Sequence, residues 1–162
     1  MVGQSLEKIR TPLPDAVAGS PAILLVGYEQ RTQFDIDRWM MGLIQAGATA
    51  PVVEVPTIPG LVPTMASGWI DDGMRAGIPK ESWGSVVTLY GDSASPVAEL
   101  TGTVRGQNTR VIVLDAHGMI VWFDDTGYSP AKALEVAKLV STLSGSEANS
   151  GLHLRSASPS AP

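Results

Sequence analysis

A nearly continuous apolar run near the N-terminus constrains the fold of this chain most strongly. Residues 21–28 read PAILLVGY, which has the length of a β-strand and follows Gly19 and Ser20. A strand with one face in water alternates apolar and polar side chains, and this segment does not alternate. The sequence therefore predicts a central strand that is covered on both faces, as in a layered α/β domain.

The next segment has the periodicity of an amphipathic helix. Residues 32–45 place apolar side chains at positions i, i+3, i+4, i+7 and i+8, and Gly47 follows as a stop. The predicted apolar stripe consists of Ile36, Trp39, Met40, Leu43 and Ile44, and it leaves Asp35, Asp37 and Arg38 outside.

The rest of the chain alternates predicted strands and helices. His117 and Gly118 separate two β-rich runs, which predicts a hairpin, and Ser129 followed by Pro130 predicts the start of a closing helix. In chain order the remaining elements are a strand at 51–56, a loop at 56–63, a helix at 64–76, an extended segment at 85–91, a short helix that begins at Pro96 after the cap Ser95, the hairpin at 109–125 and the closing helix to Leu143. Residues 144–162 are rich in Ser, Gly, Ala and Pro, so we predict one domain over 1–143 and a disordered tail over 144–162.

Composition excludes several classes of function. The 162 residues carry a net charge of -5 with scattered Lys and Arg, which argues against a nucleic-acid partner. No apolar stretch is long enough to span a bilayer, so we expect a soluble chain with no membrane span. The chain contains no cysteine. Thiol-disulfide or peroxidase chemistry is therefore not expected, and no residue pattern indicates a cofactor.

Residues 87–123 carry a resemblance to a known family. Asp92 ends an extended segment, and Gly106 lies in the turn that follows. Thr109 then enters a strand, which closes with the pattern Asp-x-x-Gly at Asp115 and Gly118. This block resembles thioredoxin-like proteins of the peroxiredoxin and periplasmic thiol-reductase type. The segments VGQSL and AGSPAILLVGY are similar to the entry and first strand of that family, so the resemblance extends over residues 2–143. The resemblance implies an α/β thioredoxin-like fold, with a central mixed β-sheet flanked by helices on both faces and a C-terminal hairpin.

Two departures from that family bear on function. The redox pair of the family would fall at residues 29–34, which read EQRTQF, and Asn108 replaces the family's cis-proline. A cis bond before a non-proline residue costs roughly 3 kcal/mol, so we expect a trans bond between Gln107 and Asn108. Gly118, the IVW sequence ending at Trp122 and the closing helix are similar to the mitochondrial ATP synthase assembly factor family, a cysteine-free branch. That similarity implies binding or assembly rather than catalysis.

The surface that surrounds the redox site in the family becomes the candidate site here. We predict that it binds a protein or peptide, because exposed aromatic side chains provide much contact area at little entropic cost. The predicted binding residues are Tyr28, Arg31, Phe34, Trp69 and Asn108. Of the four tryptophans, Trp39 and Trp122 fit core positions, whereas Trp69 and Trp83 flank a stretch rich in Gly and Pro and are expected to be less buried.

Other functions remain as alternatives. A non-thiol enzyme would draw on Arg31, Asn108 and His117, and a small-molecule-binding domain is the third possibility. Ser93 in the segment YGDSAS resembles the nucleophile block of Gly-Asp-Ser hydrolases, but its place in mid-chain favours a turn.

The acidic pairs bear on metal binding, and the first residues bear on cellular location. The pairs Asp71-Asp72 and Asp124-Asp125 favour solvated caps and turns over a metal site, so no metal is predicted. The first residues lack the pattern of a signal peptide. The segment VGQSL resembles the start of a mature domain, and this favours a periplasmic or cell-envelope location if a signal peptide was removed.

Overall fold

The computed structural model describes residues 1–60, 64–104 and 106–155, and it describes their side chains except at 64–66 and 146–155. Seven strands form one mixed sheet in the order β2-β1-β5-β4-β3-β6-β7. The strands are β1 (Val2–Ser5), β2 (Arg10–Pro12), β3 (Ala22–Gly27), β4 (Val52–Ile58), β5 (Val87–Tyr90), β6 (Arg110–Leu114) and β7 (Ile120–Asp124). The helices are α1 (Gln33–Gln45), α2 (Thr64–Gly77), α3 (Ser95–Thr101) and α4 (Pro130–Arg155).

Strand β3 lies inside the sheet, as the apolar run predicts. All its residues are buried, and it pairs in parallel with β4 and antiparallel with β6. Leu24 packs in a core with Val97 of α3, whereas Ile23 packs in a second core with Trp39 of α1 and Val136 of α4. Helices therefore cover both faces of the sheet, and the predicted fold class is confirmed.

Helix α1 confirms the predicted stripe only in part. Ile36, Trp39 and Leu43 are buried, but Ile44, in the last turn of the helix, is 69% exposed. Trp122, predicted for the core, is only half-buried on edge strand β7. Its ring contacts Trp39 edge-on, with 6.2 Å between centroids, and its Nε1 donates to Glu135 at 3.0 Å.

The predicted hairpin and the start of the closing helix are confirmed. Strands β6 and β7 pair antiparallel, and Gly118 has a φ of 77° in the turn between them, where a side chain would be strained. Ser129 Oγ accepts the N–H of Lys132 at 3.3 Å at the start of α4. Helix α4 continues to Arg155, so it does not end near Leu143, where the sequence predicts the tail to begin. Residues 156–162 lie outside the described residues.

The N-terminal hairpin is a feature that the sequence patterns do not predict. Strand β1 pairs antiparallel with β2 and with β5, which extends the sheet beyond β4 and β5. Strand β4 also reaches Ile58, so the strand ends two residues later than predicted, and residues 61–63 of the predicted loop lie outside the described part. In the described segments no helix combines the length and apolar character that crossing a bilayer requires.

Candidate binding groove

A groove of about 1100 Å³ lies among the ends of β3 and β4 and the helices α1 and α2. Alternate residues of β4 are half-buried, and three of them, Glu54, Pro56 and Ile58, line the groove. The 27–31 segment that follows β3 lines one end, and the first half of α1 and the middle of α2 supply the remaining surface. We call this space the α1–α2 groove.

Four of the five predicted binding residues line the α1–α2 groove: Tyr28, Arg31, Phe34 and Trp69. Phe34 and Trp69 are 74% and 81% exposed, although each has a large apolar ring. They come from different helices, α1 and α2. The groove therefore carries two aromatic groups that the core of the described structure does not use.

Asn108, the fifth predicted residue, is not among the residues that line the groove. Its Nδ2 donates to the carbonyl of Asp125 at 3.0 Å, and its own carbonyl accepts from Arg110 at 2.8 Å. The Gln107–Asn108 bond is trans, as expected for a non-proline residue. The side chain at this position thus ties two loops together.

Tyr28 directly follows the C-terminal end of β3, and its side chain is fixed by two contacts. Its hydroxyl lies 2.7 Å from Thr101 Oγ1, and the guanidinium of Arg110 lies 5.0 Å from its ring centroid. Burial raises the pKa of Tyr28, while the Thr101 hydrogen bond and the Arg110 charge lower it less. The phenol therefore stays protonated at neutral pH, and the side chain packs against the core that contains Leu24 and Val97.

Residues 29–34, which correspond to the redox pair of the thioredoxin-like family, are held by helix-capping hydrogen bonds. The Glu29 side chain accepts the Thr32 N–H, and Thr32 Oγ1 accepts the Glu29 N–H at 3.2 Å. Thr32 Oγ1 also donates to the carbonyl of Gly106 at 2.6 Å. Arg31 Nη2 lies 3.6 Å from Glu29 Oε2, and the Arg31 side chain is largely exposed. This turn is stabilised as the start of a helix, with a cation at its outer surface.

Helix α2 turns an apolar face to the groove instead of to a core. Of its side chains from 67 to 77, only Asp71 is buried. Tyr90 donates to Asp71 Oδ1 at 2.8 Å, and Arg75 Nε donates to the Leu6 carbonyl at 2.7 Å, so polar contacts attach the helix. The groove-lining residues recur at helical spacing as Trp69, Ile70, Gly73 and Met74.

Two acidic residues of the groove were not predicted from the sequence. Glu54 lies on β4 and Asp37 on α1, and both line the groove. Gln33 Nε2 donates to Asp37 Oδ1 at 3.0 Å. Burial raises the pKa of Glu54, the Asp37 charge raises it further, and the Gln33 contact lowers it. A lone Glu within the apolar segment PVVEVP was the available sequence signal.

We expect Glu54→Gln to raise the free energy of unfolding at pH 7. A carboxyl group whose pKa is raised in the folded state binds protons more tightly there, so stability falls as pH rises from its ordinary pKa of 4.5 through the raised value. The gain from Glu54→Gln should therefore vanish below pH 4.5. Urea unfolding at several pH values measures it, with exposed Glu99→Gln as control. An equal gain at all these pH values would contradict the expectation.

The other candidate residues lie apart from the groove, except Asp72, which is one of its lining residues. His117 is exposed in the β6–β7 turn, and Ser93 lies in a short 3₁₀ turn after β5. Asp72 pairs with Arg75 at 2.7 Å, and Asp124 pairs with Lys132 at 2.8 Å. Within the described residues, no group of three or more His, Asp or Glu side chains is arranged to hold a metal ion. Trp83 is half-buried, and its Nε1 donates to the carbonyl of Ile78.

Comparison with known proteins identifies the fold. No protein-family model and no curated protein matches the sequence. The chain is similar to the pneumococcal exposed lipoprotein thioredoxin of Streptococcus pneumoniae, with a TM-score of 0.59, 16% identity and coverage of 85% of this chain and 97% of that one. A SCO1/SenC family lipoprotein of Bacillus anthracis gives a TM-score of 0.56 at 7% identity, with coverage of 87% and 92%. Copper-bound ScoI of Arabidopsis thaliana gives 0.54 at 11% identity, with coverage of 88% and 96%.

These similarities agree with the mixed sheet, the helices on both faces and the C-terminal hairpin. At such low identities they bear on the fold and leave activity open. The similarity to assembly factors inferred from the sequence remains a prediction. The chain has the thioredoxin-like fold and contains no cysteine.

Proposed function

We propose that this chain is a non-redox thioredoxin-like domain that binds a segment of a partner protein in the α1–α2 groove. The exposure of Phe34 and Trp69 on two helices that line one groove supports this proposal most directly. Aromatic side chains dominate the binding energy of many protein interfaces, since their large rigid surfaces lose little entropy on binding. Without a cysteine, thiol exchange with the bound segment is not possible.

The arrangement of polar groups favours binding over the enzyme alternative. Arg31 lines the groove, but Asn108 and His117 do not, so the three proposed catalytic groups do not converge there. The volume of about 1100 Å³ is near the upper limit for small-molecule sites, so the groove has room for a segment of a partner protein.

A pair of glycine substitutions tests whether the groove is the binding surface. Gly73 and Gly68 both lie in α2, and an added Cβ would meet no atom within 4 Å at either position. Only Gly73 lines the groove. We expect peptides selected by the wild-type protein from a phage-displayed random library to lose binding to Gly73→Leu and to keep binding to Gly68→Leu.

The Phe34→Ala and Trp69→Ala double variant provides a second measurement. Since both side chains are mostly exposed, their loss should leave stability nearly unchanged and lower peptide affinity at least about tenfold. Fluorescence anisotropy of labelled selected peptides measures affinity, and urea unfolding checks the fold. Selected peptides that bind Gly73→Leu and the double variant as well as the wild type would place binding elsewhere and reject the proposal.

We propose that this binding serves an assembly role and that the protein acts in the cell envelope. Two of the structurally similar proteins are lipoproteins by name, and one of them is called exposed, which supports this setting. Fractionation of cells that express the full gene, followed by detection with an antibody, tests the location. Recovery of the protein only with cytoplasmic markers would reject the envelope setting and leave the binding proposal standing.

A further inference from the structure

We infer that the α1–α2 groove takes an extended peptide segment in which a Lys or Arg side chain adjoins an apolar one, with the cation seated at Asp37 and Glu54. The inference rests on the proposed function and names the chemistry of the occupant. It is carried by the distribution of charge in the groove and by the apolar groups that surround the two carboxylates.

Acidic side chains outnumber basic ones in the groove. The lining contains four carboxylates and one guanidinium, namely Glu29, Asp37, Glu54, Asp72 and Arg31. Arg31 lies 3.6 Å from Glu29, and Arg75, outside the lining, lies 2.7 Å from Asp72. These two carboxylates therefore already have cationic partners within the fold.

Asp37 and Glu54 differ from the other two carboxylates. Neither takes part in an ion pair among the described residues, where all four ion pairs involve other acids. Gln33 donates an amide N–H to Asp37, but a neutral amide cannot neutralise the like charges of Asp37 and Glu54, which line the same groove. A cation that enters from an occupant would meet two carboxylates whose repulsion it relieves.

The apolar lining explains why a peptide fits this position better than a small cation. Phe34 and Ile36 of α1 and Trp69 and Met74 of α2 line the same groove. A Lys or Arg side chain can lay its alkyl stem along such surface while its charged end reaches the acids. The exposed rings of Phe34 and Trp69 can also attract a cation through their faces. A neighbouring apolar side chain of the occupant would cover the remaining surface.

Three synthetic peptides of equal length test the inference. They alternate Leu with Lys, with Gln or with Glu, and fluorescence anisotropy measures their binding to the intact protein at low and high salt. We expect the Lys peptide to bind about tenfold more tightly than the Gln peptide at low salt, since two or three partly exposed ion pairs supply about that factor. The difference should shrink as salt screens the charges, and the Glu peptide should bind most weakly.

A variant that lacks the charges of Asp37 and Glu54 tests whether the cation binds there. The Asp37→Asn and Glu54→Gln double variant should bind the Lys and Gln peptides equally, whereas a control with Asp92→Asn and Glu99→Gln should keep the preference. Asp92 and Glu99 are exposed and lie outside the groove lining. Both double variants remove the same formal charge, so a change in overall charge cannot account for a difference between them.

The outcomes separate this inference from the proposed function. If all three peptides bind equally and Gly73→Leu abolishes binding, the groove is a peptide site without charge preference, and the inference fails while the proposed function stands. Tighter binding of the Glu peptide also overturns it. If none of the three binds while peptides selected from the library still depend on Gly73, the occupant is of another class and the inference fails alone.

Discussion

Asp35→Ala is expected to lower the free energy of unfolding by roughly 3 kcal/mol or more, since it leaves buried donors without partners. The Asp35 carboxylate is 3% exposed and accepts the N–H of Thr109 at 3.0 Å and of Tyr128 at 3.1 Å. Arg38 donates to the same carboxylate at 3.0 Å. One side chain thereby joins helix α1 to the segments before β6 and before α4.

Urea unfolding measures this change, and Asp37→Ala is its matched control. Asp37 lies two residues further along the same helix, but it is exposed and its hydrogen-bond partner is the Gln33 amide. We expect the control to change stability by less than about 0.5 kcal/mol. An Asp35→Asn variant should fall between, because its amide oxygen can accept but its NH₂ group opposes a second backbone donor. Similar losses for Asp35→Ala and Asp37→Ala would show that the buried hydrogen bonds contribute little.

Asp35 also shows what helical periodicity cannot predict. It lies outside the apolar stripe of α1, so the pattern places it in solvent, yet it is buried. Its backbone partners lie 74 and 93 positions away in the chain. Periodicity describes one element at a time, and only the packed fold brings those N–H groups to the carboxylate.

Elements with strong local preferences were predicted well. Strand β3 followed from an apolar run, the β6–β7 turn from Gly118, and the start of α4 from Ser129 and Pro130. The resemblance in residues 87–123 then gave the sheet and its covered faces. The N-terminal hairpin was missed, because strands of four and three residues have little periodicity to detect.

The groove was predictable to the extent that its residues are close to β3. Tyr28, Arg31 and Phe34 follow that strand directly, so their shared position followed from the family resemblance. Trp69 joined them through the path of α2. Glu54 was missed because it lies within a β-strand pattern, and only the position of α1 makes it half-buried beside Asp37. Asn108 was assigned by analogy with a proline, but its side chain bonds to the Asp125 carbonyl instead.

Arg110→Met is expected to lower the free energy of unfolding by roughly 3 kcal/mol or more, because the variant removes a fully buried guanidinium that donates to several partly buried carbonyls. Arg110 is fully buried at the start of β6. Its guanidinium donates to the carbonyl of Gly102 at 3.0 Å, to that of Asn108 at 2.8 Å and to that of Val104. Methionine can occupy much of the same space but cannot donate, so the loss reports the hydrogen bonds of the guanidinium and its contact with the Tyr28 ring.

Hydrogen exchange gives this variant a readout that stability alone does not. Because the guanidinium holds carbonyls on both sides of the turn before β6, its loss should lower exchange protection in the described residues from 102 to 109 more than in β3. Arg110→Lys keeps the charge but loses the planar fork, so it should recover only part of the stability. Exposed Arg10→Met serves as the control and should change stability by less than about 0.5 kcal/mol. Unchanged stability and protection in Arg110→Met would mean that packing of the turn, and not the buried guanidinium, fixes the loop beside Tyr28.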